Sequence, residues 1–99
     1  MIKHIVLFKL KPELKPEQIE SIYADFRQAI CALPATISCI RSIDVLLNIN
    51  PSEVFHIALD ATFDTLEDVS TYAMHPDHQS AAAKLRPYVE VRSCVDATI

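Results

Sequence analysis

Glycine is missing from all 99 positions of this chain, and that absence excludes a good deal. Every turn must use Pro, Asn, Asp or Ser geometry. Phosphate-cradling glycine loops of the nucleotide-binding kind are ruled out by composition. Positive charge is scarce as well: 9 Lys and Arg stand against 13 Asp and Glu, giving a net charge of −4 and an isoelectric point near 5.4. No basic stripe alternates with aromatic residues, so a nucleic-acid partner would be repelled. Long apolar runs are lacking too. Those near the N-terminus are interrupted by Lys3, His4 and Lys9, which argues against a signal peptide or a membrane span, and the expectation is a cytoplasmic protein with no membrane partner. Cys31, Cys39 and Cys94 are odd in number and without metal-ligand spacing. Each falls in an apolar periodic segment, where a buried small hydrophobe is expected rather than a disulfide or a ligand.

What is present is rich in apolar residues, 51% of the chain, enough for one domain over residues 1–99. Ile2 to Leu10 reads as a strand with His4, Val6, Phe8 and Leu10 on one face. Pro12 and Pro16 bracket a polar turn. Ile19, Ile22, Tyr23, Phe26, Ile30 and Leu33 then recur at helical spacing until Pro34. Alternation predicts a second strand over Ile37 to Leu47 and a third over Phe55 to Phe63, the latter with Phe55, Ile57, Leu59, Ala61 and Phe63 toward the helices. Asp64 with Glu67 predicts a capped helix start, and Leu66, Val69, Tyr72 and Ala73 form one face up to Pro76. A further short helix over Pro76 to Arg86 and a strand over Tyr88 to Val95 complete the order. This is a ferredoxin-like α+β plan, an antiparallel sheet with helices on one face. The uncovered sheet face, with Ile5, Leu7 and Ala58, would show water a sizeable apolar surface, so the expected partner is a second copy in an isologous homodimer.

The stretch Tyr72-Ala73-Met74-His75-Pro76-Asp77-His78 packs a phenol and two imidazoles around a bend. Pro76 disfavours helix at His75 and suits the first turn of a new helix, which carries His78. This Y-x-x-H-P-x-H pattern, together with the opening strand Met1-Ile2-Lys3-His4-Ile5-Val6-Leu7-Phe8 and the element order, resembles the stress-responsive dimeric α/β-barrel (Dabb) family. The resemblance implies a homodimer whose two four-stranded sheets form a barrel, with a cavity in each protomer between sheet and helices. In a plant polyketide-cyclase branch of that family, the histidine matching His78 is a general base for an aldol cyclisation. The tyrosine matching Tyr72 assists it, and the histidine matching His4 lines the pocket. A further pocket histidine of that branch falls on Ile57 here. His56 is its neighbour and is expected to face the dimer side. The glycine usual in the family's second strand is also absent, with Arg41-Ser42-Ile43 in its place.

The residue chemistry fits proton transfer without a cofactor. A neutral imidazole can take a proton from a carbon acid near neutral pH, and a phenol can donate to the oxygen that becomes negative. His78, Tyr72 and His4 are therefore the candidate catalytic residues. Val6, Phe8, Tyr23, Phe26, Ile57, Leu59, His75 and Leu85 are the candidate lining of a pocket for a small apolar ligand bearing a carbonyl. The competing reading is structural: His78 and Tyr72 buttress the bend, and the apolar positions are plain core. Metal binding through His75 and His78, three apart, with His4 nearby is a further alternative, with no carboxylate partner placed. Haem would need a single axial His, and none is singled out.

Overall fold

The computed structural model describes all residues from Met1 to Ile99. The chain runs β1 (Ile2–Leu10), α1 (Pro16–Cys31), β2 (Ser42–Leu47), β3 (Ile57–Phe63), α2 (Leu66–Met74), α3 (Pro76–Ala83) and β4 (Val89–Thr98). Short 3₁₀ turns at Leu33–Ala35 and Arg86–Tyr88 receive Pro34 and Pro87 near their starts, where a missing N–H costs nothing. The four strands form one antiparallel sheet in the order β2-β3-β1-β4. This is the ferredoxin-like arrangement that the periodicity predicts. No residue has positive φ, as a chain without glycine favours, and the β2–β3 loop turns on asparagine instead. Asn48 Oδ1 accepts from the Asn50 N–H (2.8 Å), and Asn50 Oδ1 accepts from the Ser52 N–H (3.1 Å).

Pairing fixes the faces. His4, Val6, Phe8 and Leu10 point to the helices beside Leu59 and Ala61 of β3, and the core gathers there with Phe26 and Ile30 of α1 and Val69 and Tyr72 of α2. Ile5 pairs with Val95 on the opposite face, where Ile5, Leu46, Val91 and Val95 lie exposed. No helix is long and apolar enough to cross a membrane.

Several expected boundaries and faces are corrected. The second strand starts at Ser42 rather than Ile37, because residues 37–40 coil into turns (Ile37 N–H to Leu33 O, 2.8 Å; Ile40 N–H to Ile37 O, 3.3 Å) that bury Ile37 and Ile40 at the end of the core. The third strand starts at Ile57, and Phe55 lies against the outer face with Leu7, Leu46 and Ala58 rather than toward the helices. His56 does not present its ring to that face; Nδ1 accepts from the Leu10 N–H (2.9 Å) and ties the ends of β1 and β3 together. Asp64 does not cap α2, because it forms a two-pronged ion pair with Arg41. Thr65 is the cap, its hydroxyl accepting from the Asp68 N–H (3.1 Å), and Leu66 is consequently exposed at the first helical position. Helix α3 stops at Ala83. Cys31 and Cys94 are exposed rather than buried, and Cys39 is half-buried; all three are free thiols.

Thr65→Ala should lower the unfolding free energy by about 0.5–2 kcal/mol in denaturant titrations, the usual range for a lost N-cap. Asp64→Ala, which breaks an exposed and solvent-screened pair, should cost less than loss of the cap. The reverse ranking would return the cap to Asp64.

Candidate functional site

The bend between α2 and α3 rests on one residue. His75 is extended (φ −65°, ψ 136°), ends α2 and caps α3, its Nδ1 accepting from the Asp77 N–H (3.0 Å). Pro76 then starts α3, which carries His78 back toward α2. The His78 Nδ1 lies 3.0 Å from the Ala73 carbonyl oxygen. A carbonyl can only accept, so Nδ1 bears the hydrogen and Nε2 is the bare, basic nitrogen.

Tyr72 lies against this imidazole, with ring centroids 4.4 Å apart. His4 meets the other side of Tyr72 edge-on at 6.0 Å, and Phe63 packs on Tyr72 at 5.2 Å. The ring is 1% exposed, yet its hydroxyl has no hydrogen-bond partner in the protein. Such orphaned groups are rare, since each forfeits about 1–3 kcal/mol of hydration. The His4 Nδ1–H donates to the Asp96 carboxylate at 2.6 Å, which orients the ring and leaves Nε2 as its free nitrogen.

These groups border a cavity of about 190 Å³ between sheet and helices. Val6, Phe8 and Leu59 form its floor, Phe26, Ala82 and Leu85 its apolar walls, and Val89, Arg86 and Arg92 its remaining edge. A cavity of ~150 Å³ accepts benzene, so this one suits a molecule of about one ring or a short acyl chain. Burial is the main cause holding the His78 pKa below the ordinary imidazole value; His4, Arg86 and Arg92 add to the effect and the Ala73 carbonyl opposes it. Burial likewise pushes the Tyr72 phenol up, with Arg92 acting weakly the other way. Near neutral pH the site thus presents an uncharged imidazole base beside a protonated phenol.

Of the sequence candidates, His4, Tyr72, His78, Val6, Phe8, Phe26, Leu59 and Leu85 meet at this cavity. Tyr23, Ile57 and His75 do not: the Tyr23 hydroxyl donates to the Val45 carbonyl (3.1 Å), Ile57 is sealed in the core, and His75 is the helix cap. The cap occupies Nδ1 of His75, and His75 and His78 do not gather with a third donor. The donors that do approach one another within 4.8 Å are His4, Cys94 and Asp96. Burial and the Asp96 charge raise the Cys94 thiol above its ordinary pKa, so it is a protonated neighbour of the His4–Asp96 pair. Asp96, Arg92 and Arg86 were invisible as site residues. Alternation puts Arg92, Cys94 and Asp96 on one face of β4, but the pairings of Phe8 with Arg92 and of His4 with Asp96 decide that this face meets the helices.

A ferredoxin-like protomer with a polar cluster at the α2–α3 bend defines a class, and comparison of the sequence identifies it. The chain belongs to the stress-responsive A/B barrel domain family, whose sequence model matches residues 2–99. It is 25% identical over 97 residues to olivetolic acid cyclase of Cannabis sativa, covering 98% of this chain and 95% of that one. Among solved structures it is similar to a dimeric protein of unknown function and ferredoxin-like fold from Bacteroides fragilis (48% identity, TM-score 0.95, 99% of this chain and 95% of that one). A dimeric ferredoxin-like protein of unknown function from Thermobifida fusca is also similar (26% identity, TM-score 0.80, 99% and 90%).

Two outcomes follow from the geometry. Tyr72→Phe removes an unpaired buried hydroxyl, so the ligand-free variant should be at least as stable as the parent, by up to about 1 kcal/mol in denaturant titration. A clear loss would show that the hydroxyl is structurally engaged. Because the folded His78 pKa lies below the ordinary 6.5, the unfolded chain takes up that proton first. The stability from keeping His78 neutral is present above that value and is lost as pH falls through it. His78→Gln should therefore shrink the drop in melting temperature between about pH 7.5 and about pH 5.5.

Proposed function

We propose that the cavity binds a small, mostly apolar molecule bearing a carbonyl, and that His78 takes a proton from the carbon next to that carbonyl. The observation that carries this reading is the Tyr72 hydroxyl, buried, protonated and unpaired at 1% residue exposure, beside an imidazole held in the basic tautomer. A buttress would satisfy its own polar atoms; a site keeps a donor free for a ligand. In this mechanism Nε2 of His78 accepts the proton, and the carbon–hydrogen electron pair moves into the enolate. The Tyr72 hydroxyl donates to the oxygen on which negative charge grows. His4, fixed by Asp96, borders the same space. The apolar walls exclude water that would otherwise compete for the base. An intramolecular aldol closure starts with such a proton abstraction, in keeping with the likeness to a cyclase. The reaction needs no resident cofactor.

Exchange of deuterium into the activated methylene of β-dicarbonyl probes, followed by NMR, tests this. His78→Ala should slow exchange by about 10²–10⁴-fold with the fold retained. Equal exchange in both proteins, or none above buffer in either, would leave a non-catalytic binding or structural module.

The exposed outer face carries a second part of the proposal, a two-fold partner that lays its own sheet over Ile5, Leu46, Val91 and Val95. The similar Bacteroides fragilis and Thermobifida fusca proteins are described as dimeric. Sedimentation at micromolar concentration should give about twice the 11.1 kDa chain mass. Ile5→Lys with Val95→Lys, a cross-strand pair on that face, should produce monomer. A folded parent monomer at low micromolar concentration would rule the dimer out.

A further inference from the structure

The chain has arginines at 27, 41, 86 and 92, and their partners divide them sharply. Arg27 pairs with Asp44 at 3.0 Å, and Arg41 pairs with Asp64, both on the outside of the protein. Arg86 and Arg92 have no carboxylate within 4.0 Å, although acidic residues outnumber basic ones 13 to 9. These two are also the arginines that border the cavity. They reach it from different elements: Arg86 from the 3₁₀ turn after α3, Arg92 from the inner face of β4 opposite Phe8. The only side-chain partner of Arg86 is Gln79 Oε1, at the long distance of 3.5 Å. The two acids of β4 are engaged elsewhere, Glu90 with Lys9 at 3.8 Å and Asp96 with His4 at 2.6 Å. The positive charges of both arginines add to the lowering of the His78 pKa, of which burial is the main cause.

From this juxtaposition we propose that the cavity selects apolar carboxylic acids. The ligand's apolar body would lie among Val6, Phe8, Phe26 and Leu85, and its carboxylate would be held at the edge by Arg86 and Arg92. The proposal rests on the reading of the cavity as a ligand site and names the class of molecule that the site takes. A guanidinium offers planar, paired N–H donors that match a carboxylate, and one that has only a neutral neighbour, Gln79 for Arg86 and the Cys94 thiol for Arg92, gains most from an anion that brings its own apolar body. Placed there, the acid would direct its carbonyl-bearing chain inward toward Tyr72 and His78.

A matched series of one-ring probes separates the outcomes: benzoate, benzamide, methyl benzoate and phenyl phosphate, titrated by calorimetry into the parent, Arg86→Gln, Arg92→Gln and Arg92→Lys. Benzoate should bind the parent about 10-fold tighter than benzamide, the scale of charge-assisted hydrogen bonds at a partly exposed edge. Each Gln substitution should remove most of that advantage while leaving benzamide unchanged, Arg92→Lys should retain part of it, and added salt should weaken benzoate alone. Equal binding of acid, ester and amide in all four proteins would overturn the acid selectivity and leave the ligand site standing. Phenyl phosphate binding tighter than benzoate would overturn the carboxylate assignment. Binding of none of the probes would overturn the ligand site and the selectivity with it.

Discussion

The pairing of β1 with both of its neighbours is the constraint on which everything else depends. β1 lies between β3 and β4, and its alternate residues His4, Val6 and Phe8 face Ala61, Leu59 and Ile57 on one side and Asp96, Cys94 and Arg92 on the other. A slip of one residue in either ladder would exchange the faces. A slip of β4 against β1 would turn Val95 inward and carry Asp96 and Arg92 out of the cavity, and a slip of β1 against β3 would do the same to Ile5 and His4. The burial of Val6 and Leu10 among Phe26, Leu59 and Leu85 makes that slip costly, so the same apolar contacts that stabilise the fold also place the polar side chains. Stability and site geometry are one property of this strand.

The second determinant is the bend at His75–Pro76, where two short helices meet without an intervening loop. In a chain with no glycine, a left-handed residue is not the economical way to end α2. An extended residue before proline does it instead, and the proline then opens α3. The change of direction brings His78 under the last turn of α2, onto the Ala73 carbonyl and against the Tyr72 ring. Spacing in the sequence thus becomes proximity only because the backbone reverses there.

Much of this was legible beforehand. Strand and helix types followed from periodicity, and the meeting of His4, Tyr72 and His78 was expected from the motif and its resemblance to a known family. What escaped was set by partners distant in sequence. Residues 37–40 continue the alternation of the second strand yet coil into turns, because no local signal distinguishes a strand lacking a partner from one that has it. Asp64 looked like a cap because Arg41, 23 residues earlier, could not be seen to claim it. Asp96 and Arg92 looked like ordinary surface charges because the last strand lies at the sheet edge, where either face suits a polar residue. Tyr23 and Ile57 were placed on the correct layer but on the wrong side of the cavity wall, a distinction of a few ångströms that periodicity does not resolve.

The two histidines of the site are oriented by chemically different anchors, and this gives them unequal evolutionary exposure. His4 is held by the side chain of Asp96, which a single codon change can remove. His78 is held by the Ala73 carbonyl, which also accepts from Gln79 Nε2 at 2.6 Å, and a main-chain oxygen persists through any substitution at position 73. The tautomer of His78 is therefore inherited with the helix itself, whereas the setting of His4 is free to drift. Divergence within this architecture can re-tune one side of the cavity while the basic nitrogen on the other stays where the backbone puts it.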